Sequence, residues 1–306
     1  MTGLAAYALR GYPQAALLAA GFLFMFAIFP PVAWLSSAII ALVVLRQGPY
    51  PGGLTMAVGM LGGAVMVHFT VGGWWAIPVL AGVFWLPAAL MAWCLRQYAQ
   101  LGLAFALAGV LGVLGLLLLF MVVPDPSLAW LEVLKKVMPA ELWAPQLQLE
   151  QAEFEQFLVE LSVFLPGSTI ASLVFSAMIS VILARGWQAR LFNPGGFQTE
   201  FHRLALGRVM GVAAVILVTA GLMFRSPVWV GLMTIALVVF LFQGLAIAHS
   251  IVKQRAMNAG WLVTLYFFGM LIPQVSLMVG GIGVLDTWID FRKRLAASAT
   301  DKFPDA

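Results

Sequence analysis

Residues 12–45 form an almost unbroken apolar run with Pro30-Pro31 in its middle. As one helix the run would be about 51 Å long at 1.5 Å per residue, well beyond the roughly 30 Å hydrocarbon core of a bilayer. Two consecutive prolines remove two backbone donors and break a helix. The run therefore predicts two short spans meeting at an outer turn, with Arg46 back on the side where the chain began. Further apolar runs follow at 51–71, 74–95, 101–123, 163–184, 209–224 and 228–251. The last run, 261–289, would be about 43 Å long as one helix and is broken centrally at Pro273, which predicts a second short hairpin.

So many apolar runs leave too little polar sequence to cover a soluble surface. Of 306 residues 63% are hydrophobic and 9% charged, with a mean hydropathy of +1.01; a soluble domain is nearer a quarter charged. In lipid the backbone must satisfy its own hydrogen bonds, which helices do within one segment. The expectation is an all-α, polytopic transmembrane helical bundle of eight to ten membrane segments, two of them Pro-broken, forming one integral membrane domain over 1–306. The range reflects whether each Pro-broken run is a hairpin or one long tilted helix. The N-terminal stretch has one Arg and then an apolar run without a small-residue cleavage site, so it predicts an uncleaved first span. A single cysteine, Cys94, excludes an internal disulfide and a cysteine metal cluster.

Charge orients this topology. With ten segments and the N-terminus inside, thirteen of the sixteen Lys and Arg residues lie on the inner side, and only Lys135, Lys136 and Arg225 lie outside. The inner side carries a net +8 and the outer side −4. Excess Lys and Arg mark the cytoplasmic face, so both termini are predicted to be cytoplasmic. The basic residues are explained by topology and lipid headgroups rather than by nucleic acid.

Three segments stand apart from the spans. Residues 124–160 hold seven acids against Lys135 and Lys136, with apolar residues at helical spacing (Leu128, Leu131, Leu134, Val137; then Phe154, Phe157, Leu158, Leu161). They predict an outer acidic segment with two amphipathic helices, read either as a solvated loop or as a lid over an outward-facing pocket. Residues 185–208 are a basic cytoplasmic loop, and 295–306 a polar cytoplasmic tail. Within 163–184, Ser168, Ser172, Ser176 and Ser180 recur every four residues, near one helix face. They read as a packing seam or a hydroxyl-lined path.

Chemistry is sparse. The spans carry no Asp, Glu, Lys or Arg near their centres, whereas ion-coupled transporters usually show one. HExxH, GxxxxGK[ST] and GxSxG are absent from the sequence. His68, His202 and His249 are too scattered to argue a metal site. No catalytic residue, metal ligand or cofactor is assigned. One candidate ligand site lies near the outer face: His68, Thr70, Trp74, Trp75, Ser168, Thr169 and Gln274 fall at one depth and offer aromatic walls with a few hydrogen-bonding groups. The plainer reading of the same residues is interface anchors and helix glue.

A candidate docking surface lies inside. It comprises Asn193, Pro194, Gly195, Gly196, Phe197, Glu200, His202 and Arg203 with Asp286, Asp290 and Arg292 from the C-terminal end. Asp290 and Arg294, four apart, are expected to pair on a helix, and the acids to reach Arg203 or Arg208. The bland alternative is a set of solvated charges at a membrane edge. Gln243 and Ser250, seven apart, share one helix face.

The pattern NPGGF-x2-EFH-x-L-x-LGR at 193–208, GLAIAHSIVKQR at 244–255 and GVLDTWIDFRKR at 283–294 together resemble the YybS-like family of bacterial inner-membrane proteins of unknown function. That family is similar to the substrate-binding subunits of energy-coupling-factor transporters and to the MreD rod-shape proteins. The resemblance implies a bacterial inner-membrane location and either an outward-facing ligand pocket or a scaffold, without ATP chemistry or catalytic residues of its own. Those transporter subunits commonly have about six spans. They dock partners through small-residue faces, for which Ala15/Ala19, Ala16/Ala20 and Ala108/Gly112 are the counterparts here. Two readings result: a small-molecule-binding or transport-associated membrane module without its own energy source, and a membrane scaffold that docks a membrane or cytosolic partner through its cytoplasmic loop and C-terminal end.

Overall fold

The computed structural model describes residues 2–26, 28–70, 73 and 76–294, with the backbone alone at 66, 67, 69, 70 and 76. Trp74, Trp75 and the tail 295–306 lie outside the described residues. Every regular element among the described residues is a helix. The first half holds α1 (Thr2–Ala8), α2 (Tyr12–Met25), α3 (Val32–Gln47), α4 (Pro49–Thr70), α5 (Ala76–Tyr98) and α6 (Leu101–Val122). Then come α7 (Pro126–Val137), α8 (Ala140–Gln146), α9 (Gln151–Phe192), α10 (Gly196–His202), α11 (Arg208–Phe224), α12 (Pro227–Gln254), α13 (Gly260–Leu271) and α14 (Pro273–Ile289). Among the described residues α5, α6, α9 and α12 are long and apolar enough to cross a membrane, and α13–α14, bent by 118° at its break, makes a fifth if it counts as one span. The protein is an all-α integral membrane protein. The ten expected segments all appear as helices of unequal reach. With 14, 16 and 17 residues, α2, α3 and α11 extend only about 21 to 26 Å.

The bundle is built around α3. Every residue from Ser36 to Leu45 is buried, and α3 packs against α2, α4, α5 and α9. A helix apolar on all sides belongs inside protein, so the second half of the N-terminal run is core. Pro30-Pro31 does break the run. The two halves lie antiparallel, with the Ser36 hydroxyl donating to Ala19 O at 2.6 Å and Gln47 Nε2 to Leu9 O at 3.1 Å. Trp85 on α5 donates its indole N–H to Ser36 Oγ at 2.8 Å, so one buried hydroxyl ties three helices together. The end of α3 is closed by Gly48, whose left-handed φ of 109° allows its N–H to return to Val44 O. Arg96, at the end of α5, donates to Leu45 O at 2.7 Å.

The faces expected to dock a partner are covered inside the chain. Gly59 and Gly63 of α4 approach Ala16 and Ala20, and Gly112 of α6 sits against Val174 and Ile235. The serine series also departs from one seam. Ser168 and Ser172 are exposed, Ser176 and Ser180 buried. A four-residue step overshoots a 3.6-residue turn by about 40°, so twelve residues carry the stripe about a third of the way round the helix.

The largest difference from expectation is α9. One unbroken helix of 42 residues, about 63 Å long, replaces the second amphipathic helix, the following span and the start of the basic loop. Pro166 is absorbed within it. Its acidic end begins with a capping box, Glu150 and Glu153 each satisfying the other's backbone N–H. There Phe154 and Leu158 form a small separate core with Ala144, flanked by Leu131 and Leu134. The acidic segment thus folds back on the projecting tip of α9. Its other end carries Arg185 and Arg190, so the charge asymmetry becomes an acidic end and a basic end of one bundle. The turns bearing Arg46, Arg96 and Arg203 meet at the basic end, where Arg46 lies over the Phe192 ring, 4.0 Å from its centroid.

Candidate functional site

Of the polar residues near the other end, the described ones, His68, Ser168, Thr169 and Gln274, stand on three helices, α4, α9 and α14. His68 lies in the last turn of α4 and is exposed, as are Ser168 and Gln274. Thr169 is half-buried and its hydroxyl donates to Leu165 O on its own helix. Thr70 closes α4, and its side chain, like Trp74 and Trp75, lies outside the described residues. The helices concerned do not pack along one another: α4 packs on α2, α3 and α5, and α14 on α11, α12 and α13.

The basic end does converge. Asn193 ends α9, Pro194 follows in the turn, and Gly195 takes a left-handed φ of 86°, the conformation that permits the reversal into α10. A side chain on Gly196 would collide with Asn193, whose carbonyl accepts the Gly196 N–H at 3.1 Å. The NPGG pattern is therefore the geometry of a tight helix reversal. Phe197 and Phe201, one turn apart on α10, stack at 5.9 Å, and Phe201 meets the His249 ring of α12 edge-on at 5.6 Å. The segment expected as a loop is thus a helical hairpin seated on the bundle. Glu200 accepts from Arg185 Nε at 2.8 Å and fixes α10 to α9, while its Oε1 is buried with no hydrogen-bond partner among the described residues.

Asp286 is the centre of the site. Its side chain is 1% exposed, yet it accepts three hydrogen bonds: Arg292 Nη2 at 2.8 Å and Gln243 Nε2 at 3.0 Å on Oδ2, and Phe291 N at 2.9 Å on Oδ1. Arg292 spends its other terminal nitrogen on His202 O and Leu204 O, each at 2.9 Å. The Gln243 carbonyl accepts Leu206 N at 2.9 Å. Three stretches distant in sequence are thereby clamped: the chain after α10, mid-α12, and the end of α14 with the turn that follows it. Close packing makes this possible, since Gly244 of α12 and Gly280 and Gly283 of α14 bring the two backbones together. A methyl group on any of them would strike a carbonyl of the facing helix.

Two expected pairings are corrected here. Asp286 engages Arg292 rather than Arg203 or Arg208, because the chain leaves α14 at Asp290 in a left-handed conformation (φ 48°) and doubles back. The same turn takes Asp290 off the helix, so its partner is Lys293 at 2.9 Å, not Arg294. The hydrogen bond from Lys293 holds the Asp290 carboxyl below its ordinary range. Gln243 and Ser250 are both buried, as their shared face implied, but nothing in the sequence marked Gln243 as the bridge. The only hint was an amide inside an otherwise apolar run.

Two cavities flank this clamp. One, about 550 Å3, lies between α10, the end of α12 and the residues after α14, with His202, Arg203, Lys253 and Arg292 on its walls. The other, about 600 Å3, lies between the α5–α6 turn and α10 and includes Thr199, Glu200 and Arg203. His202 is pushed below its ordinary pKa by burial and then by the Lys253 ammonium. His249 Nε2 and the Tyr266 hydroxyl are 2.8 Å apart, which ties α13 to α12. Among the described residues no group of three or more His, Cys, Asp or Glu could hold a metal ion. Compared with protein-family models, with curated proteins and with solved structures, the chain matches none of them.

Proposed function

We propose that this integral membrane protein is a scaffold with no energy source or catalytic centre of its own, docking an acidic partner through its basic end. The observation that carries this reading is the clamping of the α9–α10 hairpin. Arg292 and Gln243 on one side and the Arg185–Glu200 pair on the other hold it to the bundle, while Arg190, Arg203 and Arg208 remain exposed. A surface fixed before binding loses less conformational freedom on association, and a cluster of one charge sign selects an oppositely charged partner. The excess of Lys and Arg at this end supports a cytoplasmic location for it, and the resemblance to YybS-like proteins supports a bacterial inner membrane.

A photoreactive residue at Phe192, Gln198 or Thr199, each exposed, introduced singly in the source cell, tests this. The expected outcome is one discrete protein adduct, lost when Arg190 and Arg208 become Glu. An adduct that survives the charge reversal, or none from any of the three positions, overturns the assignment. The second reading, a small-molecule-binding module, is favoured by the two cavities at the same end; it moves the ligand site from the outer face to the basic one.

A further inference from the structure

The cleft between α10, the end of α12 and the residues after α14 is lined by four cationic side chains. Two are answered locally, Arg292 by Asp286 at 2.8 Å and Lys293 by Asp290 at 2.9 Å. The other two, Arg203 and Lys253, form no ion pair among the described residues. The carboxyl ends of α10 and α12 point into the same region and contribute roughly half a negative charge each, which offsets part of the excess and leaves the cleft positive. The depressed pKa of His202, due in part to Lys253, is an internal sign of that field. Neutral donors share the wall. Ser250 accepts from Gln254 at 3.0 Å, so its own proton is directed elsewhere, and Thr199 stands exposed opposite on α10.

We propose that this cleft is a binding site for a phosphate group. A guanidinium and an ammonium without local counter-ions, with two hydroxyl groups beside them, match an anion carrying several acceptor oxygens. A carboxylate would leave donors unused. At about 550 Å3 the volume suits a small ligand, and the position is where the apolar length of α12 gives way to charge, the level of lipid phosphates. The phosphate belongs either to a phospholipid headgroup or to a free phosphate compound. The inference does not rest on the scaffold reading, because it concerns the purified chain alone.

The test is native mass spectrometry of the full-length protein in detergent with added phosphatidylglycerol, diacylglycerol as the phosphate-free control, and inorganic phosphate as competitor. One phosphatidylglycerol should be retained in preference to diacylglycerol. The Arg203→Gln/Lys253→Gln variant should lower that retention about tenfold or more, since a cation near an anionic headgroup is worth roughly fivefold. Arg190→Gln/Arg208→Gln removes the same charge outside the cleft and should leave retention within about twofold. Both pairs carry exposed side chains, and an unchanged thermal midpoint confirms their fold. Displacement by millimolar inorganic phosphate assigns the site to phosphate compounds in general, and resistance to it assigns the site to the lipid headgroup. Equal loss in the two variants, or equal retention of diacylglycerol, overturns the proposal.

Discussion

Arg292 pairs with Asp286, six residues earlier, across the left-handed turn at Asp290, and the pair is nearly closed to solvent: the two side chains are 15% and 1% exposed. Removing one partner strands the other. Arg292→Ala leaves a buried carboxylate short of a donor and uncovers the carbonyls of His202 and Leu204. Breaking a buried pair this way costs about 3–5 kcal/mol. The double variant Asp286→Asn/Arg292→Gln should recover part of that loss, measured by denaturant unfolding in micelles. If the double variant is no better than the single one, the backbone contacts dominate and the pair does not.

Ser36 is the joint between α2, α3 and α5. Ser36→Ala deletes the acceptor of the buried Trp85 N–H, and an unsatisfied buried donor costs about 1–3 kcal/mol. Trp85→Phe in the same background removes the orphaned group, so the further loss should be smaller than for Trp85→Phe alone. The double-mutant cycle measures the coupling directly.

Two glycines on α14 should respond oppositely. A methyl on Gly283 would meet the Phe240 carbonyl, whereas Gly281 faces open space. Gly283→Ala should destabilise by about 1–3 kcal/mol through overpacking and weaken the Gln243–Asp286 hydrogen bond. Gly281→Ala should be neutral or stabilising by up to about 1 kcal/mol, from helix propensity. Thermal unfolding of the two variants side by side decides it.

His202 should titrate below its ordinary value, first from burial and then from Lys253. A depressed histidine is neutral in the fold while the unfolded chain, with a pKa of about 6.5, takes up the proton first. Its contribution to stability is complete above that pH and is lost as pH falls from there towards the folded pKa. Lys253→Gln should move the His202 resonance titration upward in NMR. An unmoved midpoint would leave burial as the whole cause.

Much of this molecule is local in origin and was readable from residues alone. Helix existence follows from apolar run length, and breaks from Pro30-Pro31 and Pro273. The separation into an acidic and a basic end follows from where Lys and Arg fall, because each of these depends on neighbours along the chain. What the residues could not show was non-local. The run 163–184 reads as one span, yet nothing along it shows that the helix continues back to Gln151 and on to Phe192, where α9 packs on α3 and α12. Ser168 and Ser180 share a sequence stripe but not an environment, since 3.6 residues per turn rotates them apart. Asp286 had several cations within sequence reach. Its choice of Arg292 was decided by the turn at Asp290 and by glycines that let α12 and α14 touch. Run lengths and charge counts add along the chain, whereas the partner of a buried group is fixed only when distant segments exclude water together.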